Sequence, residues 1–306
     1  MIVEHPEPPP DYASRPACVA LGFFDGVHLG HQQVIRQMLA EARAHEALGV
    51  VVTFDQHPAA VVAPQRVPLL IQTRTQRLRS LAGLGPDVIW VLSFTRVLSR
   101  LSPEQFVDFL RQHWVRLRSI CVGANFRFGH RRAGDVALLR ELGRRHSFSV
   151  HGLSVVGLDG NVVSSTRIRQ AIAGGLLDLA AQMLGRPWSV AGTVIRGDGL
   201  GRRLGFPTAN LDTAGLVLPP RGVYAGRCSL DRRTFKAVLN IGYRPTVAAA
   251  QPRLQVEAHL LDFAGDLYGR EIEVVVLGKL REEQKFSSLE ALRCQIEADI
   301  ARVRAD

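Results

Sequence analysis

Five short apolar runs, at residues 17–23, 50–54, 88–94, 120–124 and 150–156, punctuate the first half of the chain, and each is apolar almost without interruption. A strand with one face in water alternates apolar and polar residues, whereas an unbroken run is expected where both faces are covered. Between the runs the period changes. Val34, Ile35, Met38, Leu39 and Ala42 fall at helical spacing, as do Phe106, Val107, Phe109, Leu110 and Trp114. Ser102, Pro103 and Gln105 occupy the N-cap, first-turn and capping-box positions of the later helix. Buried strands alternating with helices form a parallel sheet, so residues 1–180 are predicted to be an α/β domain with a Rossmann-like parallel sheet.

From about Pro187 the pattern becomes strands separated by glycine and proline turns, with candidates at 189–195, 222–230, 235–241, 254–261 and 271–277 and one last helix at about 287–304. Strands without crossover helices predict an antiparallel β-barrel or sandwich. A chain of 306 residues is long for one core. The seam is expected within 174–186, where a short helical stretch lies between glycines, giving domains 1–180 and 181–306.

Hydrophobic residues at 46% and charged ones at 22% describe a globular chain and exclude large-scale disorder. The net charge of +10 raises the question of nucleic acid. Against that, Lys236, Lys279 and Lys285 are the only lysines, and the arginines are scattered with no dense run. The guanidinium fork serves small polyphosphate substrates equally well, so no nucleic-acid partner is expected. Cys18, Cys121, Cys228 and Cys294 show no metal or redox spacing and are expected to be free thiols. The acidic, proline-rich N-terminus does not resemble a signal peptide, and no apolar run approaches the roughly 18 residues of a membrane span. A cytoplasmic location without membrane association is predicted; the oligomeric state is left open.

The chemistry concentrates in a few segments. The first strand runs into Gly22-Phe-Phe-Asp-Gly-Val-His28-Leu-Gly-His31, and a helix follows at once. Such a strand-turn-helix aims backbone N–H groups and the positive end of a helix dipole at whatever lies above the sheet, and phosphate is the natural guest. Gly26 and Gly30 allow close approach, and His28 and His31 can both donate to charge developing on one phosphoryl group. Ser164-Ser165-Thr166-Arg167-Ile-Arg169 opens a second helix, with hydroxyls placed to cap it and two arginines for phosphate. In the second half, Gly197-Asp-Gly199-Leu-Gly201-Arg202-Arg-Leu-Gly205-Phe-Pro207-Thr208-Ala-Asn210 combines a glycine-dense loop with two hard oxygen donors suited to Mg²⁺. Along 256–260, period two sends Glu257 and His259 to one face and Val256, Ala258 and Leu260 to the other.

These segments resemble, in order, the bacterial bifunctional riboflavin kinase/FAD synthetase family, whose first domain is of the HxGH nucleotidyltransferase type. Val51-Val-Thr-Phe-Asp-Gln-His57-Pro58 is similar to the family's VTFxPHP stretch, and Val122-Gly-Ala-Asn125-Phe126-Arg-Phe128-Gly129 with Arg132 to its flavin-contacting VGxDFxFG run. The glycine-dense loop matches GxxxGRxLGFPTAN nearly throughout, and Asn240-Ile-Gly242-Tyr-Arg-Pro245-Thr246 follows in family order. Phe23, Gln56 and Asn125 depart from the usual asparagine, proline and aspartate. The resemblance covers roughly residues 17–303. It implies ATP-dependent phosphorylation of riboflavin to FMN by the second domain and adenylyl transfer from ATP to FMN, giving FAD and pyrophosphate, by the first.

The same resemblance implies catalytic roles for His28, His31, Arg167 and Glu257, the last as general base. It implies ATP or phosphate contacts at Gly22, Phe24, Gly26, Gly30, Ser164, Ser165, Thr166, Arg169, Gly199, Gly201, Arg202, Gly205 and Pro207. Flavin contacts fall on Asn125, Phe126, Phe128 and Arg132, and Mg²⁺ on Thr208 and Asn210. ATP, riboflavin and FMN are then the small-molecule partners. Three other readings remain open on the sequence: one working module only, a different nucleotidyltransferase, or a flavin- or RNA-binding regulator. Binding to nucleic acid would weaken steeply with salt, whereas catalysis on buried phosphates would vary less.

Overall fold

A computed structural model describes residues 1–4, 10–243 and 254–305; Arg244, Pro245 and Thr246, which belong to one of the family-like segments, lie outside the described residues. The chain divides into two compact units. One comprises Met1–Pro68 and Arg74–Ser165, the other Leu69–Thr73 and the chain from Thr166 onward.

The first unit is built on a six-stranded parallel sheet of β1 (Ile2–Val3), β2 (Pro16–Leu21), β3 (Leu48–Phe54), β4 (Val88–Leu92), β5 (Arg116–Gly123) and β6 (Ser149–Leu153), in the order β1-β4-β3-β2-β5-β6. Side chains alternate across it. Ala17, Val19 and Leu21 join a core on one face with Val50, Val52, Trp90 and Trp114, while Cys18, Ala20, Val51, Ile89 and Cys121 face a second core on the other. Two apolar layers are why the strand runs show no alternation. The two expected helices are present as α1 (Leu29–Ala44), which buries Val34, Ile35, Met38 and Ala42, and α3 (Pro103–His113), joined by α2 (Arg74–Ala82) and α4 (Val136–His146). The Ser102/Gln105 capping box is complete in both directions. The hairpin β7 (Gly157–Leu158) and β8 (Asn161–Val162) follows β6.

Sheet order locates the crevice. From β2 the chain proceeds outward through β3 to β4, then returns to place β5 on the opposite side of β2. Ligands of open α/β sheets bind beyond the carboxyl ends of strands at such a reversal. Both the segment after β2, carrying His28 and His31, and the segment after β5, carrying Asn125, leave the sheet there.

The second unit holds helices α5 (Ser165–Ala173, shared at its first residue with the first unit), α6 (Leu177–Leu184) and α7 (Leu289–Ala305), and a closed antiparallel barrel. Its strands are β9 (Ser189–Ile195), β10 (Ala209–Asp212), β11 (Gly222–Leu230), β12 (Arg233–Tyr243), β13 (Leu254–Leu260) and β14 (Glu271–Arg281), in the order β10-β13-β12-β11-β14-β9. The barrel thus has six strands among the described residues where about five were expected, and closure decides between barrel and sandwich. The extra strand, β10, contains Asn210 and bridges β9 and β13; at four residues it is too short to declare itself by period. Helix α7 packs against β12, and beneath it lie Val223, Ala225, Val238 and Leu261.

Candidate active sites

In the first unit, Gly22 leaves β2 with its N–H bonded to the Val52 carbonyl at 3.1 Å, and the chain then makes a strained turn. Phe24, Gly26 and Val27 have φ of 59°, 81° and 42°, left-handed values costly for a phenylalanine and more so for a β-branched valine. A side chain at Gly22 would bring its Cβ to 3.0 Å from the Phe24 ring, which explains the glycine. Phe24 is buried, so its ring is packing and any role with phosphate belongs to its backbone.

His28 is the N-cap of α1: its Nδ1 accepts from the His31 N–H at 3.4 Å. An accepting Nδ1 carries no proton, which leaves Nε2 as the protonated nitrogen of the neutral ring. The two imidazoles stack at 3.6 Å between centroids, 21° from parallel, and Phe24 meets His31 edge-on at 5.3 Å. Burial, with the adjacent His28 ring adding to it, holds the His31 imidazole well below the ordinary histidine pKa of about 6.5. At neutral pH His31 is therefore an uncharged hydrogen-bonding group. The unfolded chain takes up a proton at this residue as pH falls below about 6.5 while the folded chain does not, so folded stability is lost in that window. Thermal melts from pH 7.5 to 5.5 are expected to show a smaller acid loss for His31→Asn than for the unaltered chain.

Gln32 Nε2 donates to the Val27 carbonyl at 3.0 Å, and side chains from distant segments also pin this turn. Ser165, the first residue of α5, does not turn its hydroxyl onto its own helix but donates it to the Asp25 carbonyl at 3.0 Å. On the other side the buried Arg77 donates to the Phe23 carbonyl at 2.5 Å, the Phe54 carbonyl at 2.6 Å and the Thr53 hydroxyl at 3.2 Å. Burial lowers the Arg77 pKa to about 10, so it stays charged at neutral pH. Ser164, Arg167 and Arg169 are half-buried and Thr166 is exposed, all at the start of α5.

Beyond β5, a cavity of about 410 Å³ is lined by Asn125, Phe126, Arg127, Arg132 and Asp135 among others. Three of the four residues expected at flavin therefore share one cavity. The fourth, Phe128, is in the core, its ring stacked behind Phe126 at 5.7 Å.

In the second unit, the outward residues of β13 each grip one residue of the Pro207-to-Asn210 segment. Gln255 Nε2 donates to Asn210 Oδ1 at 2.5 Å, Thr208 Oγ1 donates to Glu257 Oε2 at 3.3 Å, and the His259 Nδ1–H donates to the Pro207 carbonyl at 2.8 Å. Period two along β13 thus becomes three rungs. Gly201 turns the loop back on itself: a Cβ there would lie 2.5 Å from the Phe206 carbonyl oxygen. Gly199 and Gly205 adopt φ of 69° and 92° on either side, in a stretch that also holds Arg202.

A cavity of about 380 Å³ runs between this segment, the outer barrel face and α7, lined by Leu204, Phe206, Val223, Phe286, Leu292 and Ile296, with Thr208, Asn210 and Glu257 also on its wall. A second, of about 520 Å³, lies on the other side of Thr208 and is lined by Arg202, Pro207, Phe263, Asp266 and Tyr268. Thr208 belongs to both. The α7 wall is tied to β14 by Arg281, whose Nε and terminal nitrogen hold both oxygens of the buried Asp299 at 2.8 to 3.0 Å. Removing one partner of a buried pair strands the other, so Asp299→Ala is expected to cost the barrel about 3 kcal/mol in urea unfolding and to raise the KM of whatever occupies this cavity.

Sequence reasoning missed Arg77, Gln255 and the Arg281–Asp299 pair. Gln255 had a signal, standing two residues before Glu257 on the same face. Arg77 had none, because Arg-Thr-Gln-Arg-Leu-Arg reads as a solvated helix surface.

A histidine pair at a helix start by the switch point of a parallel sheet, together with a barrel whose Glu257 bonds the threonine shared by two cavities, fits a two-module nucleotide-using transferase. Comparison with known proteins narrows this. The FAD synthetase family matches residues 11–167 and the riboflavin kinase family residues 184–306. The bifunctional riboflavin kinase/FMN adenylyltransferases of Pseudomonas fluorescens and Escherichia coli K12 are 41% and 39% identical over 289 residues, covering 94% of this chain and 92% of each relative. The Haemophilus influenzae protein of the same name is 34% identical over 288 residues. A crystal structure described as a macrolide-efflux protein from Streptococcus pneumoniae superposes with a TM-score of 0.81 at 28% identity, covering 99% of this chain and 98% of that one. Among the described residues of the present chain, no helix is long and apolar enough to cross a membrane. The chain belongs to the bifunctional riboflavin kinase/FMN adenylyltransferase family.

Proposed function

We propose that residues 181–306 phosphorylate riboflavin to FMN and residues 1–180 transfer an adenylyl group from ATP to FMN, giving FAD and pyrophosphate. What supports this above all is that both constellations are complete in one chain: the stacked His28/His31 pair at a helix start, and Glu257 against Thr208 where two cavities meet.

In the barrel unit the largely apolar cavity under α7 suits the flat isoalloxazine ring of riboflavin, and the cavity holding Arg202 suits ATP. The riboflavin 5′-hydroxyl then approaches the γ-phosphate beside Thr208. Glu257 accepts its proton as the new O–P bond forms and ADP leaves. Thr208 and Asn210 offer hard oxygens that retain free lone pairs despite their hydrogen bonds, and so fit Mg²⁺ that keeps water and ATP phosphates as its other ligands. When bound there, Mg²⁺ would neutralise phosphate charge.

In the parallel-sheet unit an FMN phosphate oxygen attacks the α-phosphorus of ATP and pyrophosphate departs. No proton need move, so positioning and charge carry the reaction. His28, through Nε2–H, and neutral His31 donate to the α-phosphate, and Asn125, Phe126 and Arg132 hold the flavin; Arg167 and Arg169, in the chain just beyond this unit, take phosphate by the family resemblance alone. The enzyme acts on small molecules in the cytoplasm, in keeping with its buried free thiols Cys18, Cys121 and Cys228 and with arginines spent on local pairs such as Arg127–Asp135 and Arg270–Asp231.

The test is incubation of the purified protein with riboflavin, ATP and Mg²⁺, following flavins by chromatography. FMN followed by FAD is expected. FMN alone would remove the adenylyltransferase assignment, and no conversion would remove both.

A further inference from the structure

Arg77 is 2% exposed, and although the Asp25 and Asp55 carboxylates favour its charge, none of its three hydrogen bonds reaches a carboxylate. A buried guanidinium is costly, and one used to hold peptide carbonyls must be judged by what those carbonyls position. Here they are the carbonyls of Phe23 and Phe54, at the ends of neighbouring strands β2 and β3. Thr53 closes the arrangement, accepting from Arg77 and donating to the same Phe23 carbonyl at 3.1 Å. The guanidinium carbon also sits over the Phe23 ring, 4.0 Å from its centroid, and His57 meets that ring edge-on at 4.9 Å. Phe23 is thus held by main chain and side chain at once, immediately before the left-handed Phe24 and five residues before His28.

Strained backbone persists only where its surroundings over-determine it. The anchors of the turn at 24–27 include Gln32 on the Val27 carbonyl at 3.0 Å, from the helix that follows, and, from segments far away in the chain, Ser165 on the Asp25 carbonyl and Arg77 with Thr53 on the Phe23 carbonyl. We propose that Arg77 is a positioning residue for adenylyl transfer: it fixes the origin of the strained turn and thereby the placement of His28 and His31 over the α-phosphate. This rests on the adenylyltransferase reading given above. A lysine keeps the charge but, as a point donor, cannot span two carbonyls as the planar fork does. Arginine at this position is therefore a matter of geometry as well as charge.

The experiment measures both reactions on the same preparations of full-length Arg77→Met, Arg77→Lys and Thr53→Val. For FAD formation from supplied FMN, kcat should fall by about 10- to 100-fold in Arg77→Met, the scale of a displacement of about 1 Å at a reacting centre. Arg77→Lys should recover part of the loss, Thr53→Val should lose less than Arg77→Met, and KM for ATP and FMN should stay within about threefold. FMN formation from riboflavin should be unaltered throughout. A merely structural role would lower melting temperature without this split or graded rescue. Unchanged kcat in soluble Arg77→Met, a rise confined to KM, or equal loss of both reactions would overturn the proposal. Should Arg77→Met fail to fold, Thr53→Val decides, and unchanged kcat there overturns it equally. Failure of the unaltered chain to convert FMN would instead refute the adenylyltransferase reading.

Discussion

His28→Ala is expected to leave riboflavin phosphorylation intact and to reduce FAD formation from FMN by about 10²- to 10³-fold, the scale for removing one preorganised donor to developing charge. The substitution deletes the Nε2–H proposed to donate to the α-phosphate. It also deletes the Nδ1 that accepts from the His31 N–H, freeing one of the orphan donors at the start of α1. Loss of such a cap costs about 1 kcal/mol of stability, too little to unfold a unit with two apolar cores. The product pattern is therefore the measurement: chromatography should show FMN accumulating at the unaltered rate and FAD nearly absent. Full FAD formation would move the chemistry away from the stacked pair, and loss of both products would point to collapse of the chain.

Glu257→Gln should give the complementary pattern. A general base contributes about 10²- to 10⁴-fold, and the amide cannot take the hydroxyl proton. It can still accept from Thr208 through its oxygen, so the 3.3 Å contact and the barrel strand survive. Riboflavin phosphorylation should fall by that factor, while FAD appears from supplied FMN as before. The two variants mixed should restore the sequence from riboflavin to FAD, because FMN released by one is substrate for the other. Normal phosphorylation by Glu257→Gln would leave Glu257 as a positioning group for Thr208, which lines both cavities.

Much of this molecule was legible before folding because the information is local. Continuous apolar runs announced strands covered on both faces, and five of the six strands of the parallel sheet follow them; β1, a two-residue edge, is too short to carry a pattern. The cap of α3 was readable because a capping box spans only four residues. The histidine pair and the glycine loop were readable because short motifs, together with the family resemblance, carry their own geometry. The alternation on β13 placed Glu257 opposite its apolar neighbours, and burial follows that alternation.

What tertiary structure alone decided depends on partners far apart in sequence. Closure of the barrel required β10, four residues stabilised by pairing with β9 and β13. Phe128 went to the core and left the cavity wall to Phe126 because the turn at 129–134 folds it against Phe106. Arg77, in a stretch composed like a solvated surface, was buried because carbonyls 23 and 54 residues earlier in the chain end beside it. Sequence by itself determined the layers, the family and the candidate residues for its chemistry, since periods and motifs act over a few neighbours. The placement of those residues to within an ångström was decided by long-range hydrogen bonds and packing, whose partners no local pattern specifies.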